Sequence, residues 1–468
     1  MTALAVLLAA GAGRKFWPYN EVRNKCAFPI ANVPMALRLA RQLREIGFQQ
    51  IVVVVGVQEG SVRAALRPLG EEGLTFVRQP AGTPGTATAA LAALESAGAL
   101  TPETQALVVY GDCVVGTDDL RATWQRVQED GADAAALCAP LNGERPHDWI
   151  TATPHAGNRL GGIEGHGRGG SHRMAGVYAL GPAAWPFLRA HPGRTTHVPV
   201  GGMPALEAEL AETVATMAEE GLNIAAVEAA QPCVDVDKPW HILEATEAVL
   251  REKAASLRES GSMIDPTASV SDGAEIEGPI CVGPGATIGK RVVLRGPAWI
   301  GGGARVINGA IVGENVLIGD RSRVSDYCLV GGGSVLGRGC VVGHGGEFDG
   351  AMLDGAYIYH YSEIYGVLGE AVDIGAAGVC GTLRFDDGET IHKISGRREF
   401  PRNGANATYF GDYVRTGVNV ITQPGVKIGA YSCVGPGIVV YEDVPSRKLL
   451  LLKQEIVTRD WGPERYGW

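Results

Sequence analysis

The first residues that could do chemistry follow the first apolar run: Ala10-Gly11-Ala12-Gly13-Arg14-Lys15-Phe16-Trp17-Pro18, and then Asn24-Lys25. A glycine loop at the C-terminal end of a strand lets backbone N–H groups approach phosphate oxygens closely. Cations just beyond it can neutralise a triphosphate and a departing pyrophosphate. Gln79 precedes Gly85-Thr86-Ala87, Gly111-Asp112 ends an apolar strand, and Asp235-Val236-Asp237-Lys238 closes the region. Two carboxylates from separate strand ends could share Mg²⁺, which prefers oxygen ligands and substrate phosphates. Each feature alone has a plainer reading, a strand-to-helix turn or an Asp in a turn or cap. Their order along one chain points to phosphate chemistry instead. His166 and His172 lie in a glycine-rich stretch and read as solvent-exposed loop histidines rather than metal ligands.

The elements that must position these residues alternate in type. Leu4–Ala10, Gln50–Gly56, Thr75–Arg78, Ala106–Tyr110, Ala134–Ala139 and Gly176–Leu180 read as strands. Met35–Ile46, Ser61–Leu66, Gly85–Ser96 and Thr117–Glu129 read as helices. Such alternation predicts an α/β domain with a mainly parallel sheet covered by helices. Trp240–Arg258 has helical periodicity and suits a connection between two halves.

Beyond residue 262 the pattern changes. Aliphatic residues recur at every sixth position from Ile264 to Val342, fourteen in succession; the spacing resumes at Val414, Val420 and Val426, misses at Ser432 and returns at Ile438 and Val444. A six-residue period fits neither a helix nor a hairpin; it fits a parallel β-helix of hexapeptides with the aliphatic pointing into the coil. The rhythm breaks between about residues 346 and 413, where Tyr357–Tyr361, Arg384–Glu389 and Gly396–Arg402 read as polar insertions. The resulting division is residues 1–240, a linking helix at 241–261, a left-handed β-helix at 262–447 and a tail at 448–468.

Composition agrees with two domains: 468 residues exceed one ordinary core, 46% are apolar, and 66 glycines ask for a repeat rich in tight turns. A net charge of −10 argues against a nucleic-acid partner. The nine cysteines stand singly with no CxxC pair, which reads as reduced thiols in a cytoplasmic protein. The run Ala3–Ala10 lacks a basic flank and is expected to be a buried strand rather than a signal segment, and no membrane span is indicated.

On these motifs the first domain resembles the sugar-1-phosphate nucleotidylyltransferases, which join a sugar 1-phosphate to a nucleoside triphosphate and release pyrophosphate. Their signature, Leu-Ala-Ala-Gly-x-Gly-Thr-Arg-x-x-Pro with a later Pro-Lys, stands here as Leu8 to Pro18 with Lys25 at the retained spacing. The resemblance implies a Rossmann-like fold in which Ala10, Gly11, Ala12 and Gly13 wrap the triphosphate. Lys25 would hold the α-phosphate, and Gln79, Gly85 and Thr86 would face the base. Glu164 and Gly176 would hold the sugar, and Asp112 would bind Mg²⁺ with Asp235 as second ligand and Asp237 as fallback. A Gln before Gly-Thr-Ala is similar to members that use uridine or thymidine. Arg14 stands where the family has Thr, Lys15 where it has Arg, and Asn24 and Cys26 flank Lys25. Lysine keeps the charge at 15 without a bidentate grip on phosphate, a grip that Arg14 can supply.

The second domain resembles the acetyltransferase half of bifunctional, archaeal-type N-acetylglucosamine-1-phosphate uridylyltransferases. The match runs through His360-Tyr361-Ser362, Leu383-Arg384-Phe385-Asp386 and Tyr413 to Val420. It implies His360 as general base on an amino group and acetyl-CoA as cofactor. Gly331, Asp349, Glu363 and Thr382 replace the family's Arg, Lys, Tyr and Asn at the acceptor, so a phosphorylated acceptor would meet carboxylates instead of cations. The expectation is Mg²⁺-dependent transfer from UTP or dTTP to a hexose 1-phosphate or an amino-sugar analogue, by a homotrimer. Acyl transfer on the β-helix and a regulatory or scaffolding role are the alternatives.

Overall fold

A computed structural model describes residues 2–81, 85–155, 157, 159–165, 169–190 and 208–465. Strand β1 (Thr2–Ala9) is buried from Leu4 onward without alternation, as a strand covered on both faces must be. With β2 (Ile51–Val55), β3 (Leu74–Arg78), β4 (Thr104–Tyr110), β5 (Ala134–Pro140), β6 (Ile150–His155), β7 (Arg159–Gly165), β8 (His172–Leu180) and β9 (Ile224–Glu228) it forms one sheet. The order is β3-β2-β1-β4-β8-β5-β9-β7-β6. The strands β3, β2, β1 and β4 are parallel, as are β5 and β9, whereas β8 is antiparallel to both β4 and β5. The sheet is therefore mixed on its far side, where β7 also runs antiparallel to β6 and β9.

The helices of eight residues or more are α1 (Met35–Glu45), α2 (Glu59–Leu66), α3 (Thr86–Ser96), α4 (Thr117–Gln128), α5 (Leu210–Glu219) and α6 (His241–Ser260). Apolar residues of α1, α2 and α4 cover one face of the sheet, and those of α3 and α5 the other. Strands β6, β7 and β9 and helix α5 are absent from the pattern reading; ITATPH and RLGGIEG hold too few apolar residues to alternate visibly. Gly261 ends α6 at φ 76°, a left-handed position that glycine adopts without strain.

From Met263 the chain winds as a parallel β-helix. Ser269 pairs with Thr287, Thr287 with Arg305 and Arg305 with Arg323, so one coil takes 18 residues, three hexapeptides. The aliphatics at Val282, Ile288, Leu294, Ile300, Val306, Val312 and Ile318 all point into a continuous buried core. Each hexapeptide buries a second, corner residue two positions earlier, such as Ala286 before Ile288 and Ala304 before Val306.

That second buried position corrects the reading of the later coils. Val414, Val420 and Val426 are buried, but at corners; the strands centre on Thr416, Thr422 and Ile428. Tyr357–Tyr361 is no insertion either. Tyr357–Ile358 is a strand paired with Val341–Val342, and the coil there is shortened to 16 residues. The coil continues to Val379–Cys380 and resumes at Thr408–Phe410, leaving one insertion that folds as a hairpin of His392–Ile394 against Arg397–Glu399.

The two halves share a core. Phe16, Tyr19 and Phe28, with ring centroids 5.1–5.7 Å apart, pack with Ile242, Ala245 and Val249 of α6 and with Val335, Leu353, Val367 and Tyr409 of the β-helix. The hairpin adds an ion pair, with Lys238 Nζ 2.9 Å from Glu399 Oε2, and just beyond it Arg402 Nη1 donates a hydrogen bond to the Asn142 carbonyl at 2.6 Å. Among the described residues no helix is long and apolar enough to cross a membrane.

Candidate active site

After β1 the chain passes through Ala10, Gly11 and Ala12 to Gly13, which sits at φ 57°, ψ 36°. A Cβ on Gly13 would meet the Lys25 Cβ at 3.2 Å, so glycine lets the loop close onto Lys25 as well as turn. Arg14–Phe16 forms one 3₁₀ turn that buries Phe16 and leaves Arg14 and Lys15 outward. Lys25 begins a second 3₁₀ turn, capped by Asn24, whose Oδ1 accepts from the Cys26 N–H at 2.9 Å. The same side chain donates to the carbonyls of Gly11 and Val57, both at 3.1 Å. Asn24 thus staples the glycine loop to the turn that carries Lys25, a role the family's proline could not play.

Asp112 and Asp235 are brought together by a two-stranded antiparallel ladder of Cys113–Val114 against Val234–Asp235. Val236 N–H donates to the Asp112 carbonyl at 3.0 Å and closes the register. Lys25 Nζ lies 2.7 Å from Asp112 Oδ2 and 3.5 Å from Asp237 Oδ1, while Lys15 Nζ lies 3.1 Å from Asp237 Oδ2. Ligand atoms of Asp112, Cys113 and Asp235 all fall within 4.8 Å of one another. Asp237, the fallback ligand, is not in that group and is instead occupied by the two lysines.

The charges follow from this geometry. Burial and the nearby Asp112 push the Asp235 carboxyl up to about 7, against the pull of Lys25. Burial works against the charge on Lys25, but Asp112, Asp237 and Asp235 outweigh it and hold its ammonium well above the ordinary range. Burial would also raise Asp237, yet Lys25 and Lys15 hold it below the usual carboxylate range. Burial pushes the Cys113 thiol well up, so it stays protonated and is a poor ligand for a hard cation. Two half-buried carboxylates crowded together, one already driven toward protonation, are a donor set that suits Mg²⁺.

Gln79 Nε2 donates to the Gly85 carbonyl at 3.0 Å. Gly85 has φ 132°, and a Cβ there would lie 2.4 Å from the Ala208 backbone. Thr86 Oγ1 donates to Glu209 Oε2 at 2.8 Å and accepts from Tyr110 Oη and the Leu210 N–H, so its hydroxyl is committed within the protein. Gly176, at φ 71°, abuts the Tyr110 ring and Cys113 Sγ, which places it beside the carboxylate pair. Glu164 is exposed on β7, and its carbonyl accepts from Thr151 Oγ1 at 3.3 Å. His172, read as a loop histidine, begins β8 and is largely buried; its Nδ1 lies 2.8 Å from Ser171 Oγ. His166 lies outside the described residues.

His360 is exposed at a corner of the β-helix, its ring 5.4 Å from that of Tyr361, and the fold does not bring it to Lys25. Gly331 lies against Asp349, whose carboxyl burial raises above the ordinary range. The Thr382 carbonyl accepts from Asn406 Nδ2 at 2.7 Å. Cys113 and Arg173 escaped the sequence reading. Arg173 is buried beside the ladder, 3.1 Å from Glu144, and donates to the Cys233 carbonyl; no motif marks either residue.

Residues 5–263 match the model of the MobA-like NTP transferase domain. Along nearly the whole chain the sequence is 26% identical over 444 residues to a bifunctional sugar-1-phosphate nucleotidylyltransferase/acetyltransferase of Sulfurisphaera tokodaii, covering 94% of this chain and 98% of that protein. It is 24% identical over 464 residues to the bifunctional protein GlmU of Methanococcus aeolicus, covering 97% and 98%. Among solved structures, a UDP-glucose pyrophosphorylase from Acinetobacter aligns at a TM-score of 0.44 and 19% identity, over 54% of this chain and 93% of that one.

Proposed function

The chain belongs to the family of MobA-like NTP transferase domains, and on that premise we propose that it transfers a nucleotidyl group from UTP or dTTP to a hexose 1-phosphate or an amino-sugar analogue. The products are a UDP- or dTDP-sugar and pyrophosphate. The observation that carries the reading is Lys25 Nζ at 2.7 Å from Asp112, beside Asp235 and against the glycine loop.

Asp112 and Asp235 are the residues that would hold Mg²⁺, which when bound screens phosphate charge. The chain's own residues do the rest. Backbone N–H groups from Gly11 to Gly13 cradle the triphosphate, and Arg14 and Lys15 take up charge on the leaving pyrophosphate. Lys25 stays protonated at neutral pH and is placed to stabilise charge at the α-phosphate as the sugar phosphate oxygen attacks in line. Gln79 and the Gly85 loop meet the base, and Glu164 and Gly176 the sugar. Incubation with UTP or dTTP and sugar 1-phosphates, with the product identified by mass, tests this. The expected product is one nucleoside diphosphate sugar whose formation requires both Mg²⁺ and Lys25.

A second reading rests on two relatives that match along nearly the whole chain and whose names are bifunctional. In it the β-helix binds acetyl-CoA, and exposed His360 accepts the proton of an acceptor amine. Protection of the protein against thermal unfolding by acetyl-CoA would support it.

A further inference from the structure

The segment from Phe16 to Asn32, which carries Lys25, is fastened to the β-helix at several points. Tyr19 Oη donates to the Val367 carbonyl at 2.8 Å, Asn32 Nδ2 to the Leu336 carbonyl at 2.8 Å, and Trp17 Nε1 to Ser446 Oγ at 3.3 Å. The strongest link is charged. Arg23 Nη2 lies 2.6 Å from Asp412 Oδ1 and 2.9 Å from Glu370 Oε2. Asp412 is fully buried, and its Oδ1 also accepts the Glu370 N–H at 2.8 Å. Arg23 is nearly as buried, and its guanidinium lies 5.9 Å from the centre of the Phe28 ring.

Only one residue separates Arg23 from Lys25, and that residue is Asn24, the staple to the Gly11 carbonyl. A displacement of Arg23 therefore moves the cap, the turn behind it and the ammonium. The pair is also poorly made for stability alone. It leaves Arg23 Nη1 and Asp412 Oδ2 buried without hydrogen-bond partners, where a bidentate pairing would satisfy both. A buried charge link that sacrifices two polar atoms fixes a geometry; apolar residues would supply cohesion more cheaply.

We infer that Asp412 of the β-helix is a positioning residue for nucleotidyl transfer, holding Lys25 in register through Arg23. The inference rests on the reading of the first domain given above. It makes the β-helix part of the transferase centre, whether or not the β-helix has chemistry of its own.

The test uses the full-length chain. Asp412→Asn is expected to lower kcat for nucleotidyl transfer about tenfold or more while KM for the triphosphate moves less than about twofold, since misplacement of a positioned group by an ångström costs rate. Hydrogen exchange in peptides spanning residues 20–28 is expected to quicken at the same time, with peptides of α4 unchanged. Asp412→Asn removes the buried charge opposite Arg23, leaving it the half-exposed Glu370, and is prone to misfold, so Arg23→Met/Asp412→Leu is the second variant. It keeps the packing and removes both charges, and it is expected to melt near the parent yet keep the low kcat. Val306→Ala, a core truncation several coils before Asp412, is the control for a general loss of stability and is expected to lower the melting temperature with kcat retained. If either folded Asp412 variant keeps the parental kcat, or exchange at residues 20–28 is unchanged, the inference is overturned. Should the parent chain form no sugar nucleotide from any triphosphate, the proposed function fails, while the exchange measurement still decides whether Asp412 anchors the segment.

Discussion

Lys25 and Asp112 are joined by a 2.7 Å ion pair across the end of the central sheet, and Asp237 bridges the same lysine to Lys15. The two cations that the signature assigns to phosphate are therefore held by carboxylates, and a triphosphate must draw them away. The two acids differ in what they do next. Asp112 stays beside Asp235 as a candidate metal ligand, whereas Asp237 only holds the lysines.

Asp112→Asn should therefore lower kcat on the order of 100-fold, the scale of losing one preorganised charge partner in a transfer centre. Asp237→Asn should change kcat little and lower KM for the triphosphate, because it frees Lys15. Steady-state kinetics of the two variants separates the roles. Equal losses in both would return Asp237 to the metal site.

Stability should fall in mild acid through His392. Burial and the neighbouring Lys427 push this imidazole down to about 4. Its Nε2–H donates to the Ala405 carbonyl at 2.8 Å, and its Nδ1 accepts from Lys427 Nζ at 3.2 Å, an arrangement that only the neutral ring can make. An unfolded histidine titrates near ~6.5. Between that value and about 4 the unfolded chain binds a proton that the folded chain excludes, so stability is full above ~6.5 and declines as pH falls. The slope is about 1.4 kcal/mol per pH unit for this one group. Denaturant titrations from pH 7 to pH 4.5 should show a shallower decline in His392→Gln than in the parent.

The β-helix should not acetylate glucosamine 1-phosphate. Asp349 and Glu363 lie on neighbouring paired strands, two register positions apart, with Asp349 against Gly331, and put acid where a phosphorylated acceptor needs cations. Purified protein with acetyl-CoA and glucosamine 1-phosphate should release free coenzyme A no faster than the blank. Turnover on the order of 1 s⁻¹, within the ordinary enzyme range, would refute this.

A homotrimer is expected from the outer face of the coil. Ile311 and Leu329 pair in register, as do Ile421 and Val439, and all four are exposed in one sheet of the β-helix. Two patches of outward aliphatics on one solenoid face, separated by the exposed Glu347 and Glu363, suit closed self-association around a three-fold axis. Light scattering should give three chain masses, and Leu329→Glu should reduce that number.

The sequence exposed the repeat because a buried aliphatic every sixth residue has no other architecture to serve. It misassigned the last coils because each hexapeptide buries two positions, and Val414, Val420 and Val426 fill the corner while Thr416 and Thr422 fill the strand. Asp112 and Asp235 were legible at the ends of apolar strands. Their meeting through the Cys113–Asp235 register was not, since pairing depends on the ladder between them. The link from Arg23 to Asp412 crosses 389 residues and carries no motif. Tertiary contacts of that span leave no periodic trace.

Nucleotidyl transfer through Lys25 is best measured as pyrophosphate release from a panel of nucleoside triphosphates and sugar 1-phosphates with Mg²⁺, with Lys25→Ala alongside. Release is expected with UTP or dTTP and one sugar phosphate, abolished by chelation and reduced at least about 100-fold in Lys25→Ala. Silence across the panel, or release that survives loss of Lys25, would contradict that expectation.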